Sequence, residues 1–110
     1  MSVLNGSKYL DQSINSILRQ SFTNFEFIII DDGSTDNTYD IIKRNMKIDK
    51  RIIGFKQDNQ GLASTLNFGI SKARGKYIAR MDADDISHSR RFEKQIHILE
   101  NQDIDVVGTN

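Results

Sequence analysis

The chain reads IIIDDGSTD over residues 28–36, where an apolar run stops at two carboxylates, a glycine, two hydroxyls and a third carboxylate. A second transition of this kind lies at residues 76–85, where KYIARM leads into DADD. Of the fifteen acidic residues twelve are Asp, and six of these twelve lie in the two clusters. Short carboxylates at the ends of buried strands are suited to holding a divalent cation and a polar ligand. The two clusters therefore predict a ligand site at one edge of a sheet.

The composition limits the class of protein. A length of 110 residues, 37% hydrophobic and 27% charged, suits one small globular domain. Fifteen basic residues balance fifteen acidic ones, so the chain lacks the positive charge of a dedicated nucleic-acid binder. Cysteine is absent, which excludes disulfides and thiolate metal sites.

Helical and strand periodicities alternate along the chain. Residues 25–30 form a short β-branched and aromatic run, typical of a strand buried on both faces of a parallel sheet. Apolar residues at helical spacing predict the helices. The pattern predicts strands over residues 25–30, 52–55, 77–81 and 104–107, and helices around residues 10–18 and over 36–46, 61–73 and 89–101.

This alternation predicts an α/β fold. Right-handed crossovers would make it a three-layer α/β/α sandwich, Rossmann-like, with a mostly parallel sheet. No linker or repeat interrupts residues 1–110, which we predict to be a single domain. Residues 1–4 match only the end of a first strand, and the chain stops as the last predicted strand finishes. We therefore expect a fragment of a longer domain, incomplete at both ends.

The second cluster has the spacing of a metal site. In an extended segment, Asp82 and Asp84 point to the same side, so both carboxylates can face one ligand. Hard oxygen ligands favour Mg²⁺ or Mn²⁺, and these ions keep coordination positions open for substrate phosphate. The alternative interpretation, a polar turn that caps the following helix, stays open from this motif alone.

The first cluster has residues suited to a nucleotide. Asp31 or Asp32 could accept a hydrogen bond from a ribose hydroxyl or a base N–H. Gly33 permits a turn with positive φ and lets a ligand approach the backbone. The alternative is a strand-to-helix turn capped by Asp36. Both clusters at one sheet edge are harder to explain by capping.

Short motifs follow one another in an informative order. They are Asn5-Gly6, Tyr9-Leu10, SIL-x-Q at residues 16–20, Phe25-Glu26, IDDGSTD at 30–36, NQGL at 59–62, N-x-GI at 67–70, A-x-G-x-YI at 73–78 and DADD at 82–85. This series resembles the nucleotide-binding half of family 2 glycosyltransferases, which have the GT-A fold. The resemblance spans almost the whole chain.

The resemblance implies a nucleotide-sugar donor, often linked to uridine diphosphate, and transfer of the sugar to an acceptor hydroxyl with inversion at the anomeric carbon. It implies that Asp82 and Asp84 bind Mn²⁺ or Mg²⁺, with Asp84 the more direct ligand, and gives Asp85 a less defined role. Asp32 matches the carboxylate that contacts the base, and Ser2 lies in the segment that closes over it. The implied nucleotide site comprises Ser2, Asn5, Asp31, Asp32, Gly33 and Asp82.

The same resemblance implies the partners. They are a nucleotide-diphosphate sugar and a glycan or lipid-linked acceptor, with no nucleic acid. By analogy the reaction takes place in the cytoplasm, at the inner face of the cell membrane, with any membrane contact made by segments outside residues 1–110.

The chain departs from the family pattern at three points. Leu66 stands where many members carry an Arg; Arg80 could supply that positive charge instead, or could equally be a solvated strand residue. Ser89 replaces a frequent Pro. The family's general base lies in the acceptor-binding half, beyond residue 110, so we assign no catalytic residue here and expect the isolated chain to be inactive in sugar transfer.

Two other classes of protein remain as alternatives. A Mg²⁺-dependent phosphatase-like hydrolase would use Asp82 as its nucleophile, although Asp85-Ile86 replaces the usual Thr or Gly-Thr. A non-catalytic receiver-type signalling domain would use Asp31-Asp32 as its acidic pair, but would need a Lys after its last strand, where Gly108 follows Val107.

Overall fold

The computed structural model describes residues 1–108, so the last two residues of the predicted domain lie outside the described part. The predicted helices are confirmed, with ends that differ by a few residues, as are the strands that begin near residues 25 and 52. The elements are β1 (Ser2–Val3), α1 (Leu10–Leu18), β2 (Phe27–Asp32), α2 (Thr38–Ile48), β3 (Ile52–Gln57), α3 (Leu62–Lys72) and α4 (Arg91–Asn101).

Strand β2 is the centre of a parallel sheet with the order β1-β2-β3. Ser2 of β1 lies opposite Ile30, and the pairing of β2 with β3 ends where Asp32 lies opposite Gln57. Parallel strands need a crossover connection, and α1 and α2 supply it here. The predicted parallel sheet is therefore confirmed in the described residues.

Helices cover both faces of this sheet. Ile29 is fully buried in the core cluster that contains residues of α1 and α2. The next residue, Ile30, points to the other face, where its Cδ1 lies 2.9 Å from the position that a Cβ at Gly69 of α3 would take. The three-layer α/β/α arrangement is thus confirmed. None of the helices within residues 1–108 is long and apolar enough to span a membrane.

The predicted strand over residues 77–81 is wrong, because these residues pair with none of the described strands. Met81 is buried in the core as its apolar character indicates, whereas Ile78 is 57% exposed. Strand β1 offers only Ser2 and Val3 for pairing. A strand of two residues can form few ladder hydrogen bonds with a neighbour. The apolar pattern of residues 77–81 is therefore not enough to make them a strand.

The predicted strand over residues 104–107 is also wrong. Ile104 is 40% exposed and Val106 is 85% exposed. The three described strands pair only with one another, so this apolar run has no partner. A hydrogen bond of 3.3 Å joins Gln95 Nε2 of α4 to the carbonyl oxygen of Val107.

Gly54 of β3 tests the packing of α2 on the sheet. A Cβ at this position would lie 2.5 Å from Ile42 Cγ2 and 2.7 Å from Met46 Sδ. Since Ile42 is fully buried, Gly54→Ala should lower the free energy of unfolding by about 1–3 kcal/mol through overpacking. Gly75→Ala is the control, because a Cβ there meets only the carbonyl oxygen of Tyr77, at 3.4 Å. Equal urea midpoints for the two variants would contradict this packing.

Candidate nucleotide-sugar site

A cleft of about 360 Å³ lies beside the end of β1. One wall is the segment that leaves β1, and the other is the turn that contains Asp82 and Asp84. The cleft therefore brings together four of the predicted site residues, two from each wall. Its lining consists of Ser2, Val3, Leu4, Asn5, Gly6, Tyr9, Asp82, Ala83 and Asp84.

Asn5 joins the cleft to the turn after β2. Its backbone has φ of 51°, in the left-handed region where Asn is better tolerated than most residues. Its backbone N–H donates to Ser34 Oγ at 2.8 Å, and its Oδ1 accepts from the backbone N–H of Thr35 at 2.9 Å. The amide oxygen that a ligand could have used is therefore engaged within the protein, and Asn5 holds two loops together.

Asp31 and Gly33 lie behind the cleft and do not line it. Asp31 is fully buried, and its Oδ1 accepts from the backbone N–H of Ser34 at 2.9 Å. Its Oδ2 has no hydrogen-bond partner within the described residues. Gly33 has φ of 89°, and a Cβ there would lie 2.7 Å from the backbone nitrogen of Asn59. Gly33 therefore permits a close approach of two chain segments.

Asp32 is the centre of a hydrogen-bond network rather than a cleft residue. Its Oδ1 accepts from Gln57 Nε2 at 2.9 Å and from the backbone N–H of Gln60 at 2.8 Å. Its Oδ2 accepts from the backbone N–H of Gly61 at 3.0 Å and weakly from Asn59 Nδ2 at 3.4 Å. Burial alone would raise the pKa of Asp32, but these donors outweigh it and hold the pKa below its usual value. Contact between Asp32 and a base stays a prediction, and it would compete with these bonds.

Asp82 and Asp84 are both exposed, in contrast to the buried pair Asp31 and Asp32. Arg80 Nη2 donates to Asp82 Oδ1 at 2.8 Å. The backbone N–H of Asp85 donates to the carbonyl oxygen of Asp82 at 3.2 Å, which closes a turn. Among residues 1–108 no three acidic or histidine side chains converge on one point. Two carboxylates suit a hard divalent cation that takes its other ligands from water and phosphate.

The charge of the cleft favours such a cation. Within the described residues its only charged lining groups are Asp82 and Asp84. A diphosphate approaching two carboxylates meets like charge, which is unfavourable at close range. A divalent cation between them would convert this repulsion into two attractions.

No role was predicted for Gln20, which is only 3% exposed and hydrogen-bonds to the segment after the turn at residues 82–85, here called the acidic turn. A signal was present. Position 20 continues the buried stripe of Leu10, Ile14 and Ile17, and a polar residue on such a stripe needs a partner. His88 lies outside the cleft, and its Nδ1 accepts from the backbone N–H of Arg90.

The parallel sheet, covered on both faces and with a polar cleft at its edge, defines a three-layer α/β protein. A family model described as "Glycosyl transferase family 2" matches residues 1–110, and the chain belongs to this family. This membership confirms the resemblance and excludes the phosphatase-like and receiver-type alternatives.

Two curated relatives are similar to most of this chain. An uncharacterized glycosyltransferase of Haemophilus influenzae is 44% identical over 100 residues, which is 90% of this chain and 40% of that protein. TuaG of Bacillus subtilis, provisionally named a teichuronic acid biosynthesis glycosyltransferase, is 38% identical over 96 residues, or 86% of this chain and 38% of TuaG. The chain thus spans about two fifths of the length of these relatives.

A solved structure supports the fold independently. The crystal structure of S. aureus TarS in complex with UDP matches with a TM-score of 0.82 at 23% sequence identity. The match covers 90% of this chain and 30% of the TarS chain. At this level of identity the likeness shows the GT-A fold.

Asp32→Asn tests the network around Asp32. The amide of the new side chain would face a backbone N–H, so at least one buried donor would lose its acceptor. We expect a loss of about 1–3 kcal/mol in the free energy of unfolding. Asp58→Asn is the control, since Asp58 is an exposed carboxylate in the same connection. Equal urea stability of the two variants would show that the network contributes nothing.

Asp36 gives a prediction for acid stability. Hydrogen bonds from the hydroxyl and backbone N–H of Thr38, helped by the N–H of Ser7, lower its pKa from 3.8 to about 2. A folded pKa below the unfolded one stabilises the fold above about pH 4, and the effect is lost as the pH falls through about 2. The melting temperatures of wild type and Asp36→Asn should therefore differ most above pH 4 and converge towards pH 2.

The control for Asp36 is Asp103→Asn, which removes an exposed carboxylate beyond α4. Its melting temperature should follow that of the wild type throughout the titration. A gap between wild type and Asp36→Asn that stays constant from pH 7 to pH 2 would contradict the assignment.

Proposed function

We propose that this chain is the donor-binding part of an inverting family 2 glycosyltransferase, and that its cleft binds the nucleotide diphosphate of a sugar donor.

 The nucleotide is uridine diphosphate, and the sugar passes to a hydroxyl of a glycan or lipid-linked acceptor. The support is family membership together with a fold that matches a UDP-bound glycosyltransferase.

The observation that carries the proposal is the convergence of the two walls at the cleft. Ser2 and Asn5 come from the end of the first strand, and Asp82 and Asp84 come from a turn about eighty residues later in the chain. In parallel α/β proteins, ligands bind outside the carboxyl ends of the strands, where this cleft lies. Teichuronic acid biosynthesis, in the name of TuaG, makes a cell-surface polysaccharide pathway a suitable setting.

Mn²⁺ or Mg²⁺ would be held by Asp84 and Asp82. Asp84 is the more available ligand, because one oxygen of Asp82 is engaged by Arg80. When bound, the cation would neutralise the charge that the leaving diphosphate gains. The carboxylates would orient the cation. The segment from Ser2 to Gly6, which forms the wall of the cleft opposite these carboxylates, would cover the nucleotide.

Binding and activation of the acceptor would be carried out by other segments. We assign the general base to the region that follows residue 110 in the longer relatives, and we place the reaction in the cytoplasm at the inner face of the cell membrane. On this proposal the 110 residues bind a donor but do not transfer its sugar.

The test is calorimetric titration of the chain with UDP, in Mn²⁺ and then in EDTA. We expect binding that depends on the metal, and loss of this dependence in Asp84→Asn, because a neutral amide is a poor ligand for a hard cation. Asp103→Asn removes a carboxylate far along the chain from the cleft and is the matched control. Circular dichroism would establish that each sample is folded.

Two results would contradict the proposal. One is a folded wild type that binds neither UDP nor another nucleoside diphosphate in Mn²⁺. The other is metal-dependent binding that Asp84→Asn and Asp103→Asn retain equally, which would place the cation elsewhere.

A further inference from the structure

Gln20 connects the end of α1 to the segment that follows the acidic turn. Its Nε2 donates to the carbonyl oxygen of His88 at 2.8 Å, and to Ser87 Oγ and the carbonyl oxygen of Ser16 at 3.2 Å each. Its Oε1 accepts from the backbone N–H of Phe92 at 3.1 Å. One carboxamide, 3% exposed, thus contacts three positions within residues 87–92.

Neighbouring polar contacts reinforce this connection. Ser16 Oγ accepts from the backbone N–H of Ser87 at 2.9 Å. The backbone N–H of Ser21 donates to the carbonyl oxygen of Ser89 at 2.8 Å, and Ser21 Oγ donates to Glu93 Oε2 at 2.8 Å. The helix α4 has no fully buried side chain, and Phe92 in its first turn packs partly buried against the core and edge-to-face on Phe25. The hydrogen bonds add directional contacts to this packing.

The acidic turn precedes this segment directly. A hydrogen bond from the backbone N–H of Asp85 to the carbonyl oxygen of Asp82 closes the turn. Only Ile86, which is 63% exposed, separates it from Ser87. The turn therefore has little anchorage of its own on this side, and the contacts of Gln20 are the nearest fixed point.

The other end of the turn is held by the same helix. Arg91, the first residue of α4, donates from Nη2 to the carbonyl oxygen of Arg80 at 2.8 Å. The start of α4 thus contacts the chain on both sides of the turn. Buried Met81 and partly buried Ala83 add core contacts there, while the side chains of Asp82 and Asp84 remain exposed.

We propose that Gln20 is a positioning residue for the donor site: by fixing residues 87–92, it sets the direction in which Asp82 and Asp84 face the cleft. The proposal rests on the proposed function, in which these carboxylates hold the cation. Carboxylates ordered before binding lose less conformational entropy when the cation arrives. Residues that orient metal ligands typically change metal affinity when they are replaced.

Gln20→Met tests the proposal, because it removes all the side-chain hydrogen bonds at nearly constant volume. The quantity measured is the ratio of the UDP dissociation constants in EDTA and in Mn²⁺. We expect this ratio to fall by about 10- to 100-fold, with little change in EDTA. Ser87→Ala, which removes one acceptor of the Gln20 amide, should reduce the ratio less and is the second variant if Gln20→Met does not fold.

Gly54→Ala is the control for stability, since it disturbs β3 and α2 and leaves the acidic turn in place. Its ratio should equal that of the wild type. If Gln20→Met and Ser87→Ala both keep the wild-type ratio, the positioning role of Gln20 is wrong while the donor site stands. If wild-type binding itself ignores the metal, the proposed function fails and this inference fails with it.

Discussion

Two buried carboxylates at the end of the central strand constrain the structure around them. Burial of a charge is unfavourable unless hydrogen bonds replace the lost water. Asp31 accepts a hydrogen bond from the backbone N–H of Ser34, and Asp32 accepts hydrogen bonds from those of Gln60 and Gly61. The loop after β2 must therefore present a backbone donor to Asp31, and the loop after β3 must present two to Asp32. These hydrogen bonds fix where α3 begins. They also fix the position of the loop after β2, to which Asn5 is hydrogen-bonded.

The acidic turn follows the opposite arrangement. Asp82 and Asp84 are exposed and keep oxygens available to a ligand, so their order must come from the backbone and from neighbouring residues. Gln20 and Arg91 supply that support without contacting either carboxylate. The hydrogen bonds of Asp32 thus connect the central strand to the loop before α3, and the exposed pair is available for chemistry.

Local and non-local interactions explain what the sequence could predict. The helices were predictable because apolar periodicity and helical hydrogen bonds are both local. Residues 77–81 and 104–107 have the same apolar character as β2, but a strand also needs a partner, which no local pattern reveals. The cleft was predictable in part. Asp82 and Asp84 are in it, whereas the donors that engage Asp32 and the partners of Gln20 lie far away along the chain.

Arg80 forms an ion pair with Asp82 in the acidic turn. Asp82 and Asp84 are close in sequence and repel each other, and the guanidinium beside Asp82 offsets part of that repulsion. Both partners are about half exposed, so the pair is weak and is screened by salt. On the proposed function, a divalent cation would carry twice the charge of Arg80 and would compete with it for Asp82. On the same proposal, the released guanidinium would be available to a phosphate.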